Sequence, residues 1–149
     1  MLRQFLVSIA VSVCNIAIHA TVMAAVLWVV RIADESATSR QSLRLVAVMI
    51  ATVSVLMAAH IAEVVVWSLA YMMVGAAPPG TDFIYFAFVN YTTLGYGDVI
   101  PLQRWRLLGP MTAMNGVLLF GWSTAVIFEV LRKTMMTSGT EEGRWGVSS

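Results

Sequence analysis

Three apolar runs separated by short polar links organise the chain. The first, FLVSIAVSVCNIAIHATVMAAVLWVV from Phe5 to Val30, carries no formal charge and exceeds the roughly 20 residues that cross a bilayer. The run outlasts the apolar segment of a cleaved signal peptide, and MLRQF ahead of it holds a single basic residue, Arg3. It therefore reads as a retained span, with Trp28 as an interfacial anchor. The second run, LRLVAVMIATVSVLMAAHIAEVVVWSLAYMMVG at residues 43–75, is longer than one straight crossing needs and predicts a tilted helix. Trp67 and Tyr71 lie toward its far end, where aromatic belts sit. The AAPPG that follows stops the helix by Gly75. The third run, LLGPMTAMNGVLLFGWSTAVIFEVL, occupies residues 107–131.

The polar links differ in kind. RIADESATSRQSLR, residues 31–44, has the charges and small polar residues of an aqueous loop. The tail KTMMTSGTEEGRWGVSS is rich in Gly and Ser and predicts a loosely ordered end. Between the second and third spans lies TDFIYFAFVNYTT, residues 81–93, where Thr81 or Asp82 can cap a helix with an aromatic and aliphatic body. From Asp82 to Thr92 this helix is too short to span, which leaves a buried core helix or a re-entrant segment. NYTTLGYGDVIP, residues 90–101, follows at once and is flexible and polar in an apolar chain.

Composition strengthens the membrane reading. Of 149 residues, 59% are hydrophobic and 11% charged, with a mean hydropathy of +0.81. An ordinary soluble domain has about 45–50% apolar and about 25% charged residues. A net charge of +1 offers no grip on nucleic acid, so membrane lipid is the expected surrounding. Cys14 is the single cysteine, which excludes an intrachain disulfide and a thiolate metal cluster; it reads as a small buried hydrophobe. With the 31–44 link and the tail inside, Arg31, Arg40, Arg44, Arg132, Lys133 and Arg144 face Arg3, Arg104 and Arg106 across the bilayer. The inside-positive rule then puts the N-terminus outside and the C-terminus in the cytoplasm.

Non-helical backbone at membrane depth is tolerated only where protein surrounds it or it lines a watery cavity. One use for it is to aim carbonyl oxygens at a dehydrated cation. Gly95 and Gly97 can adopt dihedrals that strain other residues, and Thr93 adds a hydroxyl beside its carbonyl. The short helix points its partially negative C-terminal end toward the same place, which favours a cation.

TTLGYGD, residues 92–98, resembles the selectivity-filter signature of the tetrameric potassium channels, including small bacterial-type channels. Aromatic residues in the preceding short helix and Pro101 after the acid complete the resemblance. It implies that Thr93, Leu94, Gly95, Tyr96 and Gly97 form the filter and that Thr93 to Tyr96 hold potassium. It also implies four identical chains around one pore, so each chain has three identical partners. The family's filter is entered from outside, which again places the C-terminus in the cytoplasm, here of a bacterial inner membrane. The implied parts are an extra N-terminal span at 1–30, a cytoplasmic loop at 31–42 and a cytoplasmic tail at 132–149. Between the loop and the tail lies a pore module at 43–131: outer helix 43–75, pore helix 82–92, filter 93–97 and inner helix 107–131. Thr92 and Asp98 flank and support the filter. Some family members place a carboxylate where this chain has Val89, so Asp98 lacks that partner and takes a hydrogen bond from Tyr85 or Trp105 instead.

In the third run, Gly109-Pro110 opens the helix, since Pro is tolerated in a first turn. Gly116 and Gly121 are each a hinge or a close-packing position. Asn115, an amide in mid-span, needs a partner or water; it faces the pore cavity or bonds the short helix. Leu119, Trp122, Ser123 and Val126 are candidates for a hydrophobic gate. Glu129, with Arg132 and Lys133 three and four residues on, can form an ion pair within the helix.

Ionisable groups also lie deep in the first two runs. Asn15 and His19 share one helix face, and His60 and Glu63 another, at matching depths, so a four-residue polar seam is possible. It can serve as glue between helices, as a pH-sensitive element, or as a zinc-like site of His19, His60 and Glu63. No span carries the repeated arginines of a voltage sensor, and no nucleophile–base set outside the seam suggests an enzyme.

The expectation is an all-α membrane protein with three transmembrane helices, a re-entrant pore helix and a filter loop, assembled as a homotetramer. Its expected function is passive, potassium-selective conduction, with potassium as the transported ion and no organic cofactor. The alternative is a non-conducting or poorly selective channel-like protein with a structural or sensory role.

Overall fold

The computed structural model describes residues 1–34 and 41–145. Four helices follow one another: α1 (Leu2–Asp34), α2 (Gln41–Val74), α3 (Phe83–Tyr91) and α4 (Leu108–Trp145). A single 3₁₀ turn, Gln103–Trp105, precedes α4. Among the described residues there is no strand. The stretches Leu2–Arg31, Leu43–Val74 and Gln103–Met135 are each long and apolar enough to cross a membrane, and the protein is an integral membrane protein of the all-α class.

The stop at the end of α2 is a glycine stop. Gly75 has φ +60°, its N–H donates to the Met72 carbonyl at 3.2 Å, and the Ala76 N–H donates to the Tyr71 carbonyl at 2.9 Å. This pair of bonds satisfies carbonyls that the helix end would otherwise leave bare. The polar link expected over 31–44 is shorter than its composition suggests, because α1 runs to Asp34 and α2 starts at Gln41. The rest of that link lies outside the described residues. The tail departs further from expectation. Instead of loosening after residue 131, α4 continues to Trp145, since each added turn of an existing helix needs no new nucleation.

α1 lies against both α2 and α4, and α3 is wedged between α2 and α4. Around α3, the side chains of Trp67, Tyr71, Phe86, Tyr91 and Leu108 make one buried cluster; Met23, Val26, Leu56, Val126 and Val130 make a second. The first turn of α1 is tied to the start of α4, where the Gln4 Oε1 accepts the Leu107 N–H at 2.9 Å. Cys14, expected to be buried, is exposed on the chain. Asn15 and His19, both fully buried, take the inward face of α1 and turn Cys14 outward.

Candidate functional site

The position of α3 is fixed by its ends. The Asp82 carboxylate accepts the N–H groups of Ile84 and Tyr85 at 3.0 and 3.1 Å, a cap worth about 1 kcal/mol. Thr81, the other candidate, donates its hydroxyl to the Pro78 carbonyl. At the C-terminal end the chain folds back on the helix. The Thr93 N–H donates to the Asn90 carbonyl at 3.0 Å, and the N–H groups of Leu94 and Gly95 donate to the Val89 carbonyl at 2.9 and 3.3 Å. These amides satisfy carbonyls at the end of α3. The carbonyls of Thr93, Leu94, Gly95, Tyr96 and Gly97 themselves accept no hydrogen bond among the described residues.

Every second residue of this loop has a positive φ: Thr93 at 62°, Gly95 at 55° and Gly97 at 78°. In a regular strand successive residues face opposite sides; reversing φ at alternate positions lets successive carbonyls turn to one side. Glycine adopts such angles freely. For β-branched Thr93 the conformation costs on the order of 1–3 kcal/mol, so the bonds to α3 hold it in place. The sequence pointed to the two glycines but not to the threonine, because a β-branched residue is among the least expected there. The loop lies open on the surface of the single chain: Thr92 through Asp98 are exposed, with Tyr96 at 69%.

Behind the loop, the Tyr85 hydroxyl donates to the Asp98 carboxylate at 2.7 Å. Of the two partners expected for Asp98, Tyr85 is the one in place; the buried indole N–H of Trp105 has no partner among the described residues. Proximity to the carboxylate that accepts its hydrogen bond pushes the Tyr85 phenol above its ordinary value. Val89 is buried and offers its carbonyl, not its side chain, to the loop.

The sequence left the rotation of α4 open. Asn115, Gly116, Leu119, Ser123 and Val126 are buried within the chain, whereas Gly121 and Trp122 are exposed. Gly116 packs directly on the backbone of Tyr91, while Gly121 borders open space. Asn115 is buried in the chain and bonds the other two long helices, with no bond to α3 among the described residues. Its Oδ1 accepts the Trp67 indole N–H at 3.0 Å and the Asn15 amide at 3.2 Å, which joins all three long helices.

The deep polar residues do come together. The His19 Nδ1 lies 2.7 Å from Glu63 Oε1, and the His60 Nδ1 lies 3.0 Å from Glu63 Oε2. The Asn15 amide also reaches the Glu63 backbone carbonyl at 3.2 Å. Two further residues complete the cluster. The Tyr91 hydroxyl donates to Glu63 Oε2 and lies 3.0 Å from the His60 Nδ1. The Ser123 Oγ lies 2.9 Å from the His60 Nε2 and 3.3 Å from the His19 Nε2. Nothing in the sequence singled out Tyr91, and Ser123 was legible only as a gate candidate.

A family model described as "Ion channel" matches residues 55–133, just over half of the chain. The chain belongs to this ion channel family. Comparison with curated proteins and with solved structures yields no match. Membership makes the protein a non-catalytic transport protein of the membrane. The matched part of the channel takes in the second half of α2, α3, the glycine-rich loop and the membrane portion of α4, and leaves out α1. The polar cluster therefore joins family residues to a helix outside the match. Toward the far end of α4 in this channel, Arg132 grips Glu129 through two bonds of 2.8 and 2.9 Å, with Lys133 at 3.4 Å. That exposed ion pair is a minor stabilising contact.

Proposed function

We propose that the channel conducts potassium ions passively and selectively through a pore formed by four copies of the chain, with Thr93, Leu94, Gly95, Tyr96 and Gly97 as the filter. One observation carries this reading: the carbonyls of Thr93 to Gly97 have no partner among the described residues and stand on an open flank of the chain. Uncovered irregular backbone cannot face lipid, where each unsatisfied group costs several kcal/mol. Copies of the chain around a common axis supply the missing walls, and dehydrated ions supply the missing partners for the carbonyls. The alternating positive φ values support carbonyls turned to one side, and the resemblance of TTLGYGD to potassium-channel filters supports the choice of ion. The end of α3 directs its partial negative charge to the same region. Of the earlier lining candidates, Gly121 and Trp122 remain open on α4, beside the exposed Met114, Val117 and Leu118. The same reading places the N-terminus outside and the C-terminus in the cytoplasm, as the basic residues favour.

The test is flux from liposomes holding the purified protein under a potassium or a sodium gradient. Potassium efflux that exceeds sodium efflux, and that Gly95→Ala abolishes, supports the proposal. Equal fluxes, or no flux over a range of pH, calcium and voltage, overturn it. Cross-linking in the same membranes should end at four copies.

A further inference from the structure

The buried cluster around Glu63 closes into a ring. Glu63 meets Tyr91, Tyr91 meets His60, His60 meets Ser123, Ser123 meets His19, and His19 returns to Glu63. Each link needs one proton. Ser123 has a single hydroxyl hydrogen but faces the Nε2 atoms of both histidines. If both Nδ1 atoms point protons at Glu63 and both rings are neutral, one Nε2 is left facing oxygen with no proton between them. The ring closes without charge when each of its side chains contributes one proton to the circuit.

We propose that this cluster is a binding site for a single divalent cation of the zinc class. The cation takes the His19 Nδ1, the His60 Nδ1, one oxygen of Glu63 and the Tyr91 phenolate oxygen as a tetrahedral set. The histidine and carboxylate donor atoms all lie within 4.8 Å of one another, and Tyr91 touches both Glu63 and His60. Zinc ligands at about 2.0–2.1 Å from the metal stand roughly 3.3 Å apart in a tetrahedron, so on binding the close contacts of Glu63 with His19 and Tyr91 open by more than half an ångström and the widest-spaced donors draw together. Two imidazoles among the donors favour zinc-class ions over magnesium or calcium, which prefer oxygen and higher coordination.

Charge and protons balance. The cation brings two positive charges, and Glu63 and Tyr91 as anions bring two negative ones, so the buried site stays neutral. The metal-free ring holds one proton per link. Once the metal is bound, protons remain on the His19 Nε2, the His60 Nε2 and the Ser123 hydroxyl, and two are released to solvent. Both Nε2–H groups then donate to the same Ser123 oxygen, which has two lone pairs to receive them. That is the outer support metal-bound histidines almost always have, and it explains why both rings turn the same nitrogen toward one serine. The bound ion would pin α1, which lies outside the family match, to α2 and to the last residue of α3.

The test uses the full chain in detergent, stripped with chelator and titrated with cobalt(II) and zinc(II), and it reads no ion flux. Expected are one ion per chain, the strong visible absorption of tetrahedral cobalt, its loss on adding zinc, and two protons released per zinc. Tyr91→Phe should release one proton instead of two, and Ser123→Ala should weaken binding about 10–100-fold. His19→Ala should abolish one-to-one binding, with helix content and assembly size checked for each variant. Folded wild-type protein that binds no cobalt overturns the proposal. So does cobalt binding that is unchanged in both His19→Ala and Tyr91→Phe.

Discussion

The carbonyl oxygen of Tyr91 sits so close to the α-carbon of Gly116 that a β-carbon built on Gly116 would lie 2.1 Å from it. No side chain can move out of the way, because the obstacle is backbone at the end of α3. Gly116→Ala should push α4 away from α3 and cost on the order of 1–3 kcal/mol, the usual range for overpacking. At Gly121 nothing lies within 4 Å of the same built atom, so Gly121→Ala should change stability by no more than about 0.5 kcal/mol. Thermal unfolding of the two variants in one detergent decides the comparison.

Asn115 is the acceptor for two buried donors, from Asn15 and Trp67. Asn115→Leu keeps the volume but strands the buried Trp67 indole N–H, at a cost of about 1–3 kcal/mol, while the Asn15 amide keeps its bond to the Glu63 carbonyl at 3.2 Å. Adding Trp67→Phe to Asn115→Leu should recover part of that loss, since it removes the stranded donor. A double-mutant cycle on unfolding midpoints measures the coupling; strictly additive losses would refute the shared acceptor.

The Tyr85–Asp98 hydrogen bond has a pH signature. The phenol is raised above its ordinary value of 10.0 because the Asp98 carboxylate accepts its proton. The sign follows: the contribution of the bond is complete below that ordinary value and fades as pH climbs through the raised one. Ultraviolet titration of wild type against Tyr85→Phe should isolate a tyrosine ionising above the ordinary value. In Asp98→Asn that step should move back down.

Trp105 makes the opposite case. Its indole N–H is buried with no partner among the described residues, so Trp105→Phe removes an unsatisfied donor along with some packing. These effects oppose, and the net change in stability should stay within about 1 kcal/mol. Potassium-over-sodium flux ratios should be unchanged in Trp105→Phe and altered in Tyr85→Phe.

What the sequence could reveal depended on the kind of signal. Hydropathy found all three long helices, because length and lack of charge suffice for a span, and AAPPG located the end of α2. The spacing of His60 and Glu63 put them on one face, and depth alone brought His19 and Asn15 alongside. The rotation of α4 was not legible. In a membrane protein the lipid-facing and inward faces are both apolar, so nothing in LLFGWSTAVIF marks which side is buried. The contact of Gly116 with Tyr91 settles that rotation, and with it the inward turn of Leu119, Ser123 and Val126. For the same reason Tyr91 could not be placed in the cluster: its partners come from α2, which only the folded chain brings near. The helical tail escaped notice because its composition describes a solvated segment, whether coiled or helical.

The participation of α1 in the Glu63 cluster makes that helix inseparable from the rest. Although the family match begins within α2, a shortened chain that starts after α1 would bare Glu63, His60 and Asn115 to acyl chains. The family-matched part of this protein is thus not a portable two-helix cassette. Any chimera that transplants it should carry His19 and Asn15 along.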